Sequence, residues 1–199
     1  MKLKILFFAI IGGFIIQACT CSTCGDKGEY YMVPDSVRSE TDKFVISKTG
    51  REFFEKYIHF NYEESKKLED SYYIAYSFRD LQKEFIDEKI SFIVDTTGTV
   101  MESAEVSGIP EVKKNPEHCK FSLNEDEARK VAISEDFPKG INDWEVSFRW
   151  SAEFDRYVWH ILTVESESGS PDNYKGKGEE MIISPADGSV ITRRKWHVR

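Results

Sequence analysis

The sequence predicts an α+β protein made of two tandem helix-on-antiparallel-sheet units. Three observations carry that expectation. The first is Tyr157-Val158-Trp159-His160-Ile161-Leu162-Thr163-Val164-Glu165, a run of β-branched and aromatic residues with no Gly or Pro. Tyr157, Trp159, Ile161 and Thr163 fall on one face, and Val158, His160, Leu162 and Val164 on the other. A strand apolar on both faces is usually central and covered on both sides. The second observation is an internal likeness. Phe92-Ile93-Val94-Asp95-Thr96-Thr97-Gly98-Thr99-Val100 lines up with Ile182-Ile183-Ser184-Pro185-Ala186-Asp187-Gly188-Ser189-Val190, each a strand, a Gly-containing turn and a second strand. The third is that each copy is preceded by a capping-box helix and an aromatic strand. Two copies of this size fit a duplicated module rather than a solenoid, which needs more and shorter repeats.

The 199 residues suffice for one ordinary domain or two small ones, and 40% hydrophobic with 14% aromatic residues can build a real core. The formal net charge of -8 argues against a nucleic-acid partner, which needs concentrated Lys and Arg. At the N-terminus, Lys2 and Lys4 flank an apolar run, Leu3 and Ile5 to Ile16, broken only by Gly12 and Gly13. It is too short for a comfortable transmembrane helix. It ends in Ile16-Gln17-Ala18-Cys19, which resembles a bacterial lipobox. That resemblance implies a signal peptide over 1–18, lipid attachment at Cys19, and a mature chain held on a membrane with its domain outside the cytoplasm, in the cell envelope. Loss of Lys2 and Lys4 takes the net charge to about -10. A diacylglyceryl group plus an N-acyl chain anchors stably where a single chain does not.

Residues 19–40 read as a tether, small and polar at first, with a short strand or more tether over Glu29 to Arg38. Cys21 and Cys24 have C-x-x-C spacing, open to a redox site, a zinc site or a plain tether disulfide; neither a helix-opening context nor a second ligand pair accompanies them. The first unit spans 41–107. Thr49-Gly50-Arg51-Glu52 fits a capping box with Thr49 at the N-cap, and Phe53, Phe54, Tyr57 and Ile58 then share a helical face. The charged run Glu63 to Asp70 reads as a solvated helix continuation or loop. Tyr72 to Phe78 and Lys89 to Val94 read as strands, with Gly98 in the turn that follows.

Residues 108–120 read as a linker, with Pro110, Pro116 and Gly108 close together. His118-Cys119 makes a weak catalytic pair, because neighbours in an extended chain point to opposite faces. The second unit spans 121–199. Its helix starts at Asn124 or Ser122, each with Glu three residues on, and presents a narrow stripe of Ala128, Val131 and Ala132. Trp144, Val146, Phe148 and Trp150 alternate with Glu145, Ser147 and Arg149, as in a half-buried strand. Ser166 to Gly178 reads as a polar loop, and Glu180 to Ser184 opens the last hairpin.

The second half resembles PepSY-type domains. The matching stretches are Leu123-Asn124-Glu125-Asp126-Glu127-Ala128-Arg129-Lys130-Val131-Ala132, Tyr157-Val158-Trp159, and Ile183-Ser184-Pro185-Ala186-Asp187-Gly188-Ser189-Val190, with Pro185 in place of the usual acidic residue. The resemblance covers about seventy residues well and the first half in outline. It implies a helix-plus-sheet domain of the envelope or exterior that binds or restrains partners, proteases among them. The helix, tryptophan strand and glycine hairpin are also similar to those of NTF2-like immunity lipoproteins, which implies a small-ligand or immunity role instead.

No nucleophile elbow, phosphate loop, H-E-x-x-H or dinucleotide fingerprint is present, so neither catalysis nor a cofactor is expected. His59, His118, His160 and His197 lie far apart, and His160, on an apolar strand, reads as a satisfied core histidine. Trp144, Trp150 and Trp159 read first as core. The alternative, a recognition surface for a protein or peptide, makes Trp144, Trp150 and Arg149 the candidate partner-binding residues. The basic end, Arg193 to Arg199, reads as a solvated strand end or a contact to anionic lipid.

Overall fold

Pro34 starts the first element of the computed structural model, which describes residues 33–101, 103 and 105–198. The signal segment, Cys19, Cys21 and Cys24 lie outside the described residues. Helix α1 spans Asp35–Thr49, so the last part of the expected tether is helical. Asp35 in the first turn and Lys48 in the last complement the helix dipole. Its buried residues, Val37, Thr41, Val45 and Thr49, recur every fourth position. Thr49 therefore ends a helix rather than capping the next: its hydroxyl donates to the Val45 carbonyl (3.0 Å), and Gly50 stands at the N-cap of the helix that follows. Gly50 separates α1 from the short α2, Arg51–Tyr57, and Ile58 already belongs to a strand.

The first sheet is antiparallel. Strand β3 (Tyr72–Arg79) pairs on one side with β4 (Asp87–Val94) and on the other with two short pieces, β1 (Ile58–Phe60) and β2 (Lys66–Lys67). Between those pieces the Ser65 hydroxyl replaces a backbone partner, accepting from Ala75 N at 2.9 Å. The charged run from Glu63 to Asp70 is thus turn and loop around the two-residue strand Lys66–Lys67, as the loop expectation has it, and not a helix continuation. After β4 the chain folds back, with Ser107 opposite Ser91.

Segment 108–120 is packed rather than free. Gly108, Ile109 and Pro110 are buried, and Pro116–Cys119 forms a 3-10 turn. Tyr157 holds this segment by donating its hydroxyl to Gly108 O at 2.8 Å. Helix α3, Glu125–Ser134, follows with a complete capping box: Glu127 N donates to Asn124 Oδ1 (3.0 Å), and Asn124 N to Glu127 Oε2 (2.8 Å). The second sheet is a continuous antiparallel meander of β5 (Glu145–Ser151), β6 (Arg156–Ser168), β7 (Lys175–Ile183) and β8 (Val190–Val198). The expected polar loop from Ser166 to Gly178 is largely strand. Gly178 sits in β7 because Trp196 crosses it: the Trp196 indole N–H donates to Thr163 O (3.1 Å), and a Cβ at 178 would lie 2.9 Å from that nitrogen.

Each helix lies on the sheet that follows it. Tyr76 of β3 donates to Thr41 Oγ1 of α1 (2.8 Å), and Phe44 meets Phe92 edge-on at 5.3 Å. Trp159 of β6 donates to Leu123 O, just before α3, at 3.0 Å. The turns after β4 and β7 are built alike. Asp95 accepts from Thr97 N and Thr99 N, and Asp187 from Ser189 N and its hydroxyl. Gly98 (φ +90) and Gly188 (φ +77) are both left-handed, one against Val37 of α1, the other against Val131 of α3 and Leu123 just before it.

The sheets meet in a shared aromatic seam. Phe78 of β3 lies 5.0 Å from Tyr157 and 5.7 Å from Phe121, while Phe85 lies 5.2 Å from Trp159. Tyr157 through Ile161 are buried on both faces of β6. The protein is therefore α+β, with three α-helices and two antiparallel sheets among the described residues.

Candidate binding site

The flank of α3 carries the most exposed apolar side chains near a tryptophan. Ala128 and Ala132 bury the helix against the sheet, which leaves Arg129 and Ile133, one turn apart, along its outer edge. The chain leaves α3 through Asp136 and Phe137, where Arg193 of β8 donates to Glu135 O at 3.0 Å and covers the Phe137 ring. Residues 139–143 then run back past the helix. They are pinned where Ile141 N donates to Val164 O (2.8 Å), and Gly140 packs so closely that a Cβ would lie 2.4 Å from that oxygen. Trp144 closes the floor: its N–H donates to Pro138 O (2.8 Å), and its ring meets Phe137 edge-on at 5.6 Å.

The result is a groove of about 410 Å³ lined by Arg129, Ile133, Lys139, Ile141, Asp143 and Trp144, among others. Ile133 is 65% exposed and Ile141 is 56% exposed, although Ile133 belongs to a helix and the Ile141 backbone is bonded to Val164. Exposed aliphatic side chains clustered beside a fixed indole are what a docking surface needs, since a preformed site loses little freedom on binding. Arg129 is bonded to Glu125 at 2.7 Å and keeps its charge at the groove's edge.

The sequence-derived trio is not one site. Trp144 lies in the groove. Trp150 is six residues on, about 20 Å away along a strand, half-buried and edge-on to Tyr157 at 5.2 Å. Arg149 projects from the opposite face, in register with Val158. Trp159 is core. Ile133 and Ile141 were missed. Ile133 lies outside the Ala128–Ala132 stripe, which is a usable signal; the exposure of Ile141 depends on the path of the loop and has none.

On the outer face of the second sheet, His160 Nε2 and Glu180 Oε2 are 2.7 Å apart, and Arg194 joins Glu180 to Glu153, which it grips at 2.8 and 2.9 Å. Burial pushes the His160 pKa down despite Glu180. Burial works against the Glu180 carboxylate too, yet hydrogen bonds from Arg194 and His160 hold its pKa below the usual value. His160 is thus a satisfied histidine, and Arg193 and Arg194 of the basic end spend their charge on Glu179, Glu180 and Glu153. Burial, with Glu117 nearby, pushes the Cys119 thiol up to about 12, which leaves it neutral and unsuited to nucleophilic work. On β4, Glu88 faces inward opposite Phe78; burial and then Asp87 push it up to about 7 against the pull of Arg149.

Among the described residues, no group of three or more His, Cys, Asp or Glu is placed to hold a metal ion, and no helix is long and apolar enough to cross a membrane. No family model, curated protein or solved structure matches the chain.

Proposed function

We propose that the protein is a non-catalytic lipoprotein of the cell envelope, anchored through lipid on Cys19, that binds a protein or peptide partner. Its two halves are read as tandem PepSY-like units. That reading is supported by the helix followed by an antiparallel meander in both halves, and by the left-handed Gly turn pressed against each helix. An enzyme held in check is the partner type the PepSY resemblance implies.

The observation that carries the binding role is the groove of Ile133, Ile141 and Trp144. Lys139 and Asp143 lie together in its lining, and Arg129 at its edge is paired with Glu125, so the groove is close to neutral. The partner it fits is a segment presenting an aliphatic side chain between polar groups.

A photo-cross-linking residue at position 141 of the full chain, in its own cells, should trap one discrete partner. The purified partner should then bind the wild type and lose at least about tenfold in affinity with Ile133→Asp, at an unchanged unfolding midpoint. An adduct whose affinity ignores Ile133→Asp, or no adduct at all, would sink the groove reading. Cys19→Ser should release the chain from the membrane without changing that affinity.

A further inference from the structure

A second concavity lies where the two halves meet, away from the groove. It is a cavity of about 210 Å³ between α2, β3 and the strand-like segment after the Pro116–Cys119 turn. Its walls are aromatic and come from both halves: Phe53 and Tyr57 of α2, Phe78 of β3, and Phe121. Phe78 lies 5.8 Å from Phe53 and 5.7 Å from Phe121, ring centre to ring centre. Phe78 is fully buried and Phe121 nearly so, so these two rings belong to the seam behind the cavity, and the ring surface open to a ligand is that of Phe53 and Tyr57. The Cys119 side chain completes the lining as a small, soft wall.

The polar groups are at the rim. Lys83 Nζ donates to Phe121 O at 2.6 Å, which closes the β3–β4 loop over one side. An ammonium has three donors, and that carbonyl takes one. Lys120 lines the same cavity, and Lys56 lies over the Tyr57 ring at 4.8 Å. The one carboxylate in the lining, Asp80, already accepts from Gln82 N at 2.9 Å. Two lysines, Lys83 and Lys120, against one aspartate in the lining leave a small local excess of positive charge on a chain that is acidic overall.

Size sets the rest. A closed apolar cavity of about 150 Å³ is known to take benzene, so 210 Å³ takes one six-membered ring and a short arm, and no fused ring system. The part-exposed rings of Phe53 and Tyr57 favour a ring in edge-on or offset contact. We propose that this cavity binds a monocyclic aromatic acid, with its ring against Phe53 and Tyr57 and its carboxylate at Lys83. This site is independent of the partner groove, and either could fail without the other.

The test uses the full chain and phenylacetate, with benzyl alcohol as the uncharged match. Titration calorimetry should show one saturable site for phenylacetate. Lys83→Met should weaken phenylacetate at least about tenfold and leave benzyl alcohol nearly unchanged, as expected when a charged hydrogen bond is lost and the ring pocket is kept. Cys119→Phe should fill the cavity and abolish both. The Lys83→Met contrast keeps the test decisive whether or not that variant folds. No saturable binding at millimolar phenylacetate, or a Lys83→Met effect equal for both ligands, would overturn the proposal.

Discussion

The two halves differ in what lies between their helix and their first strand. In the first half that place is taken by α2, whose Phe53 and Phe54 turn inward, 5.8 Å from Phe78 and 6.0 Å from Tyr76. In the second half it is taken by the 135–144 loop, whose Phe137 and Trp144 turn inward but whose Ile141 stays outside with Ile133. The same layout is sealed by a helix in one half and left open as a groove in the other. A helical turn brings two neighbouring rings onto one side, whereas an extended loop pinned at Gly140 and Ile141 alternates its side chains in and out. On the proposed function, the first half contributes stability and the second half carries the surface offered to a partner.

The largest effect should come from breaking the seam that both halves share. Phe78→Ala removes a fully buried ring that touches Tyr157 and Phe121, and should cost about 3–5 kcal/mol. All four tryptophans, Trp144, Trp150, Trp159 and Trp196, are in the second half. Tryptophan fluorescence therefore reports that half alone, and its urea midpoint should fall together with that of far-UV circular dichroism. A fluorescence midpoint that stays put while the dichroism becomes biphasic would make the halves independent. The two Gly turns give the next contrast. Gly188→Ala meets only the movable ends of Leu123 and Val131, at 3.1 and 3.3 Å, so the left-handed backbone dominates at about 1–2 kcal/mol. Gly98→Ala also drives a Cβ to within 2.9 Å of the Val37 carbonyl, which cannot rotate away, and should cost about 3 kcal/mol. Equal losses in urea denaturation would mean that α1 rides on its turn as loosely as α3 does.

The second half was the more legible in sequence, for physical reasons. The α3 capping box, the alternation around Phe148 and the unbroken β6 are each encoded within a few residues. Helix α1 hides because its buried stripe alternates Val37 and Val45 with Thr41 and Thr49, and threonine reads as polar until a hydroxyl is seen bonded to its own helix or to Tyr76. Gly178 reads as a loop residue until Trp196 is found lying across it from another strand. At the site, Trp144 was legible as an aromatic at a strand start. The separation of Arg149 from Trp150 was legible too, since adjacent strand residues face opposite ways. The groove itself was not, because it depends on where the 139–143 loop lies.

Between the seam and the surface stands Glu88, among the described residues the one carboxyl pushed well up by burial, to about 7 from an ordinary 4.5. A folded-state pKa above the unfolded one means that folding favours the protonated acid. Its stabilising contribution is complete below pH 4.5 and is lost progressively as pH rises through about 7. Glu88→Gln should remove that loss and make the protein more stable than wild type at pH 8, by about 1–2 kcal/mol once the carboxyl's remaining contact with water is allowed for. At pH 4 the two should nearly coincide. Parallel stability curves from pH 4 to 8 would show that Glu88 does not feel the seam.

The smallest expected effect is also the sharpest test of the contrast between α2 and the 135–144 loop. Ile133→Ser and Ile141→Ser remove side chains that are mostly in water already, so each should change unfolding stability by no more than about 0.5 kcal/mol. Phe54→Ser, at the corresponding place in the first half, uncovers Tyr76 and should cost more than about 2 kcal/mol. If the isoleucines prove as costly as Phe54, they are supporting the loop, and the groove is a by-product of packing. If they are thermodynamically silent, two large aliphatic side chains are being held in water by a rigid backbone with no return to the fold, and their use lies in what they touch when a partner is bound.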